Sequence, residues 1–168
     1  MNKSIFVLVI SRYKMKIEII KVNSKEMAFK ANNYLTKLIH DEKKYDENIN
    51  EKCIVKSLYE RVYMNDNVCI LLAKYDDEYA GYLFGNIIDT NDAYINAKAK
   101  LDAIFIDEKY RKKQIGKKLI NEFEYWVKSK GLKYIELTVC KENTPAICLY
   151  KNYGFKDAKT IMQYTIND

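Results

Sequence analysis

Residues 101–120, LDAIFIDEKYRKKQIGKKLI, constrain this chain more than any other stretch. They open with an apolar run, 101–106, of the length of a buried strand. A polar loop follows at 107–113, and then an apolar stripe at helical spacing begins, through Ile115, Leu119, Ile120, Phe123 and Val127. A strand that feeds a basic loop and opens a helix is one way to hold a phosphate. The first helical turn has N–H groups without partners and lies at the positive end of the macrodipole. Gly116 lets the backbone come close to a ligand, and Arg111, Lys112, Lys113, Lys117 and Lys118 surround it with positive charge. Alone, the stretch reads equally as an ordinary amphipathic helix with a basic first turn.

A second stretch follows about thirty residues on, Asn143-Thr-Pro-Ala146-Ile-Cys-Leu149-Tyr150-Lys-Asn-Tyr-Gly154-Phe155. Thr144 is the expected N-cap, and Pro145 suits the first helical position. Ala146, Leu149 and Tyr150 fall on one side of a short helix that Gly154 ends.

Together the two stretches resemble the GNAT acetyltransferases. Arg111-Lys112-Lys113-Gln114-Ile115-Gly116 resembles the family's pyrophosphate loop, Gln/Arg-x-x-Gly-x-Gly/Ala. Arg111 and Gly116 match, while Gln114 stands where the first glycine belongs. Residues 143–155 look like the signature Asn-x-x-Ala-x-x-Leu-Tyr followed by Gly-Phe. The motifs cover roughly residues 68–166, and the rest agrees by layout. The resemblance implies an α/β fold with a mixed, mostly antiparallel central sheet of six to seven strands and helices on both faces.

It also implies acetyl-coenzyme A as cosubstrate, no metal, and a primary amine as acceptor, attacking directly in a ternary complex. The strand before the loop and the strand after its helix are expected to splay, with the pantetheine arm in the gap. Carried over by residue, the backbone of Ile104, Phe105 and Ile106 would pair with the arm. The amides of Lys113, Gln114, Ile115, Gly116 and Lys117 would cradle the pyrophosphate beside Arg111 and Lys112. Asn143 would sit next to the arm, and Tyr150 would protonate the departing thiolate. Asp102, on the central strand, is the candidate base for the amine. The plainer readings are that Tyr150 only packs and that Asp102 is a surface carboxylate. His40, Asp41, Glu42 and Tyr45 fall where the family borders its acceptor site. The acids clustered there, Asp46 and Glu47 included, would favour a small cationic amine. Two other readings are a protein or peptide N-acetyltransferase and a non-catalytic acyl-coenzyme A-binding module. Homodimers are common in the family.

At 168 residues with 48% hydrophobic content, the chain is long enough for one globular domain with a real core. Residues 1–14 read as an N-terminal extension whose apolar run, 5–10, is too short to span a membrane. The net charge of +6 is concentrated in the basic loop, which argues for solvated lysines and not for nucleic acid. Cys53, Cys69, Cys140 and Cys148 have neither metal-ligand spacing nor a disulfide framework, so a reducing cytoplasm is expected.

The remaining pattern predicts a strand at 16–22 and a helix capped by Ser24 with Met27, Ala31, Tyr34, Leu35, Leu38 and Ile39 inward. A second helix is predicted at 51–64, then strands at 68–75, 79–88, 98–106, 132–139 and 158–166. Residues 89–97 read as a loop, and Gly131 as the stop of the helix that leaves the basic loop.

Overall fold

The computed structural model describes residues 16–88 and 96–166. The first fifteen residues, and with them the expected extension, lie outside the described part, as does most of the expected 89–97 loop. Five strands form one sheet in the order β1 (Ile17–Lys21), β2 (Val68–Tyr75), β3 (Glu78–Ile88), β4 (Lys98–Ile106), β5 (Tyr134–Glu136). Neighbours are antiparallel except β4 and β5, which run parallel. Four helices accompany them: α1 (Lys25–Glu42), α2 (Leu58–Val62), α3 (Ile115–Ser129) and α4 (Thr144–Tyr153).

The helices cover both faces, as expected. One core cluster joins β2, β3 and β4 to Ile115, Leu119, Ile120, Phe123 and Val127 of α3 and to Tyr150 of α4. The other places Ala28, Ala31 and Tyr34 of α1 with Tyr59 of α2 against Ile70, Leu72, Tyr82 and Ala103. Strand β2 lies between both layers, so residues 68–73 are all buried and show no alternation of burial. A Cβ at Gly85 would lie 2.4 Å from Phe123 Cζ, so the missing side chain is what lets the α3 ring lie on the sheet.

A bulge sits in the centre. Phe84 pairs with Ala103 and Gly85 with Leu101, which leaves Asp102 as the extra residue of β4. The irregularity puts Leu101 in the cluster beneath α3 and Ala103 in the cluster beneath α1.

Four expectations change. The predicted helix 51–64 shrinks to Leu58–Val62. Val55 N–H donates to Thr36 Oγ1 at 3.0 Å and the Cys53 carbonyl accepts from His40 Nε2 at 2.9 Å, so side chains of α1 take the groups a helix would have used. The sheet has five described strands, not six to seven. Residues 158–166 form no strand and are exposed throughout, and the strand expected at 132–139 pairs only at 134–136. Sequence alternation supplies β-propensity, but a strand also needs an edge within reach.

Candidate active site

The basic loop has a backbone that its sequence only partly announced. After β4 comes a 3-10 turn, Glu108–Tyr110, and then Lys112 and Gln114 take left-handed conformations, φ 61° and 66°. Gln114 is the residue before the first turn of α3, and its side chain makes no capping bond there. No acid lies in that first turn, and Lys117 and Lys118 flank it. The N–H groups of Ile115, Gly116 and Lys117 therefore point out of a cationic helix start without a side-chain acceptor, an arrangement that suits an anionic diphosphate. The left-handed backbone also explains the family glycine that Gln114 replaces: a residue without Cβ takes φ near 66° freely.

Gly116 has a different reason to be small. A Cβ there would lie 3.1 Å from Leu149 Cδ2 and 3.2 Å from Ile106 Cδ1. The glycine thus serves the packing of α3 on α4 and β4, in addition to any approach by a ligand.

Next to the loop the sheet opens. Strands β4 and β5 pair only from Lys98–Tyr134 to Lys100–Glu136. Beyond that, β4 continues to Ile106 on its pairing with β3, while residues 137–139 leave the ladder. Ile104, Phe105 and Ile106 thus border a gap where the resemblance expects the pantetheine arm. Arg111 reaches back over this end: its Nε donates to the Ile106 carbonyl at 3.1 Å, and its Nη2 lies 3.4 Å from Asp41 Oδ2.

Tyr150 projects from α4 into the core and is 8% exposed. Its ring meets Phe155 edge-on at 5.8 Å. Burial pushes its hydroxyl up to about 12, and the negative charge of Glu42 adds to the effect. Asn143 is the N-cap of α4, its Oδ1 accepting from Ala146 N–H at 3.2 Å, so the cap falls one residue before Thr144.

Glu42, the last residue of α1, is half-buried, and its carboxyl is raised by that burial and by Asp41 and Asp46. Its charge bears on Tyr82 of β3, on Tyr150 of α4 and on Cys140. Asp102 lies on the same side, acting on Tyr59 and Tyr82, and pairs with Lys100 at 2.5 Å. Asp41 is shared by Lys44, at 2.8 Å, and Arg111, and Tyr45 packs under the Lys44 ammonium at 4.9 Å. His40 holds the Cys53 carbonyl.

Two residues that sequence reading missed organise this region. Asn32 is fully buried, its Oδ1 accepting from Tyr59 N–H at 3.0 Å and its Nδ2 donating to Glu60. Asp107 ties the end of β4 to α1 through Tyr34 Oη at 3.2 Å and Lys37 Nζ at 2.7 Å. A polar residue on an apolar helix face was the only sign of Asn32. Burial raises the thiols of Cys140 and Cys69, the latter to about 12, which disfavours the thiolate a nucleophile needs. Among the described residues no group of three His, Cys, Asp or Glu side chains is placed to hold a metal, and no helix is long and apolar enough to cross a membrane.

A sheet that parts between β4 and β5, next to a cationic uncapped helix start, is a fold shared with many solved structures. A protein from Bacillus halodurans, BH1408, superposes with a TM-score of 0.77 at 16% identity, covering 89% of this chain and 99% of that one. The aminoglycoside N-acetyltransferase AAC(6')-Iy, bound to the bisubstrate analogue CoA-S-monomethyl-acetylneamine, superposes at 0.66 with 17% identity, covering 91% and 99%. The Acetyltransferase (GNAT) family matches residues 35–155, and the chain belongs to that family. A spermine/spermidine N(1)-acetyltransferase of Bacillus subtilis is 30% identical over 84 residues, 49% of this chain and 55% of that protein. An uncharacterized N-acetyltransferase of Methanocaldococcus jannaschii is 36% identical over 63 residues, 38% of this chain and 28% of that protein. The chain thus spans about half the length, or less, of these curated relatives.

Proposed function

We propose that this protein transfers an acetyl group from acetyl-coenzyme A to a primary amine of a small cationic molecule. The observation that carries the proposal is the parted end of β4 beside the uncapped, cationic start of α3. Acetyl-coenzyme A, when bound, supplies the acyl group as an activated thioester. The chain's own groups then do the rest. The N–H groups of Ile115, Gly116 and Lys117, with Arg111 and Lys113 nearby, neutralise the diphosphate. The free edge of β4 at Ile104–Ile106 orients the arm, and one N–H there polarises the acyl oxygen, an interaction worth about 3–4 kcal/mol of barrier.

The acceptor must arrive cationic and react neutral. Near pH 7.4 removing a proton from an alkylammonium of pKa about 10.4 costs about 4 kcal/mol. Two carboxylates, Glu42 and Asp102, are near enough to act on Tyr82. We assign the proton to Glu42, because Asp102 is held by Lys100, whereas Glu42 also acts on Tyr150. Asp102, Asp41 and Tyr45 then line the acceptor's side with negative charge and an aromatic face.

Tyr150 Oη gives its proton to the departing sulfur. The raised hydroxyl makes this demanding. Transfer from a group near 12 to an ordinary thiolate, near 8.5, is uphill by about 5 kcal/mol. Burial is the larger cause of that rise, and a cation beside Glu42 would offset only the charge that adds to it, so the acceptor itself would strengthen the acid in part. This favours a polycation, whose second charge stays beside the acids after the reacting nitrogen is neutral. The polyamine and aminoglycoside acetyltransferases among the similar proteins support that substrate class.

The test is thiol release from acetyl-coenzyme A across polyamines, aminoglycosides, amino acids and peptides. Release with polyamines or aminoglycosides is expected. Release with peptides only would replace the small-amine acceptor by a protein one. Coenzyme A binding without release on any amine would leave an acyl-coenzyme A-binding module.

A further inference from the structure

Arg111 stands where the cofactor's arm has to go. The Asp107 N–H donates to the Ala80 carbonyl of β3 at 2.9 Å. In a trans peptide the preceding carbonyl points the opposite way, so the Ile106 oxygen faces the open side of β4. Arg111 Nε donates to that oxygen at 3.1 Å, and the guanidinium carbon lies 5.8 Å from the centre of the Phe105 ring. The side chain thus covers the end of the edge along which the arm would lie, just ahead of the amides that would hold the diphosphate.

The other end of the same guanidinium reaches α1. Nη2 lies 3.4 Å from Asp41 Oδ2. Lys44 Nζ holds the second oxygen, Oδ1, at 2.8 Å, and rests 4.9 Å from the centre of the Tyr45 ring. Both oxygens of Asp41 are therefore matched by cations of its own chain. An acid neutralised in this way offers little to an arriving ammonium, although Glu42 beside it bears on Tyr150.

A bound diphosphate changes this competition. It carries more negative charge than one carboxylate and presents several oxygens to the planar fork of a guanidinium. An arm on the β4 edge also needs the room that Arg111 fills.

We propose that Asp41 reads a second cation of the acceptor and that Arg111 decides when. In the free protein Arg111 neutralises Asp41, and the diphosphate of coenzyme A draws it off. Lys44 keeps Oδ1, and Oδ2 takes the acceptor's cation. The switch rests on the acetyl-coenzyme A reading of the site. Each ligand then favours the other, and by the same factor, because both require Arg111 to leave Asp41. The pair is partly exposed, its side chains 43% and 36% accessible, so the coupling is modest, about 2–5-fold.

A double-mutant cycle on coenzyme A affinity tests the switch without any acceptor. Calorimetry compares the wild type with Asp41→Asn, Arg111→Ala and the double variant, and Asp46→Asn controls for the general field of the acids. Asp41→Asn is expected to tighten coenzyme A binding about 2–5-fold, because Arg111 is no longer held back. The same change made in Arg111→Ala should have no effect, and Asp46→Asn should fall well short of Asp41→Asn. Unchanged or weaker binding by Asp41→Asn would overturn the switch. So would equal tightening in the Arg111→Ala background or in Asp46→Asn.

Spermidine is the probe for the cation. It is expected to bind the coenzyme A complex about 2–5-fold more tightly than the free protein. Arg111→Ala should remove that difference by raising the affinity of the free protein, and Asp41→Asn by lowering that of the complex. Equal spermidine affinity in the two states, or none in either, would overturn the proposal and leave acetyl transfer standing. A wild type that does not bind coenzyme A would overturn both.

Discussion

Gly116 faces Leu149 so closely that a Cβ on the glycine would lie 3.1 Å from Leu149 Cδ2. The contact joins the start of α3 to the helix that bears Tyr150, so the loop and the acid share one packing unit. Gly116→Val is expected to cost about 1–3 kcal/mol by overpacking, visible in urea melts without any ligand. A Val variant as stable as the wild type would show that the two helices do not meet there.

Gln114 pays a backbone penalty that the family's usual residue avoids. At φ 66° a side chain costs about 1–2 kcal/mol, while glycine loses about 0.5–1 kcal/mol more entropy on folding. Gln114→Gly should therefore stabilise the protein slightly, by about 0.5–1 kcal/mol, and leave coenzyme A affinity little changed. Destabilisation in denaturant melts would mean that the Gln114 side chain holds the loop.

Tyr150→Phe removes only the hydroxyl. Tyr150 Oη makes no hydrogen bond among the described residues, so folding and coenzyme A affinity should stay intact. Turnover should fall by about 10²–10⁴-fold in a chemistry-limited assay. Normal turnover would defeat the acid role.

Glu42 separates stability from activity. Its carboxyl is raised above the ordinary 4.5, so the native state holds this proton more tightly than the unfolded chain does. The resulting stability is full below the ordinary value and is lost as pH rises through the raised one. At neutral pH the ionised group opposes folding. Glu42→Gln should melt higher than wild type at pH 7, and the two should converge in acid. The same variant should lose activity at neutral pH and recover in part at alkaline pH, where the amine arrives neutral. Asp102→Asn is the control. A pH-recoverable loss in Asp102→Asn and none in Glu42→Gln would return the base to Asp102.

Asn32→Ala should cost about 1–3 kcal/mol, because it leaves the buried Tyr59 N–H without its acceptor. Thermal melts measure it. A neutral effect would mean that water replaces the amide.

Most elements of the fold are written in local patterns along the chain. The stripe through Ile115, Leu119 and Phe123 and the caps at Ser24 and Gly154 are short-range features, and α1, α3, α4 and the strands β2–β4 follow from them. The two motifs, being local too, located the loop and Tyr150. Features that depend on distant neighbours emerge only when the chain is folded. The bulge at Asp102 arises from its register with Phe84 and Gly85. Glu42 came to bear on Tyr150 because α1 ends over the sheet opposite α4, a placement 108 positions of sequence separation cannot reveal. The non-helical 51–57 segment was set by Thr36 and His40, which outcompeted its own helical bonds. The strand pattern at 158–166 was legible, but a strand also needs a neighbouring edge, and these residues join no ladder among the described residues.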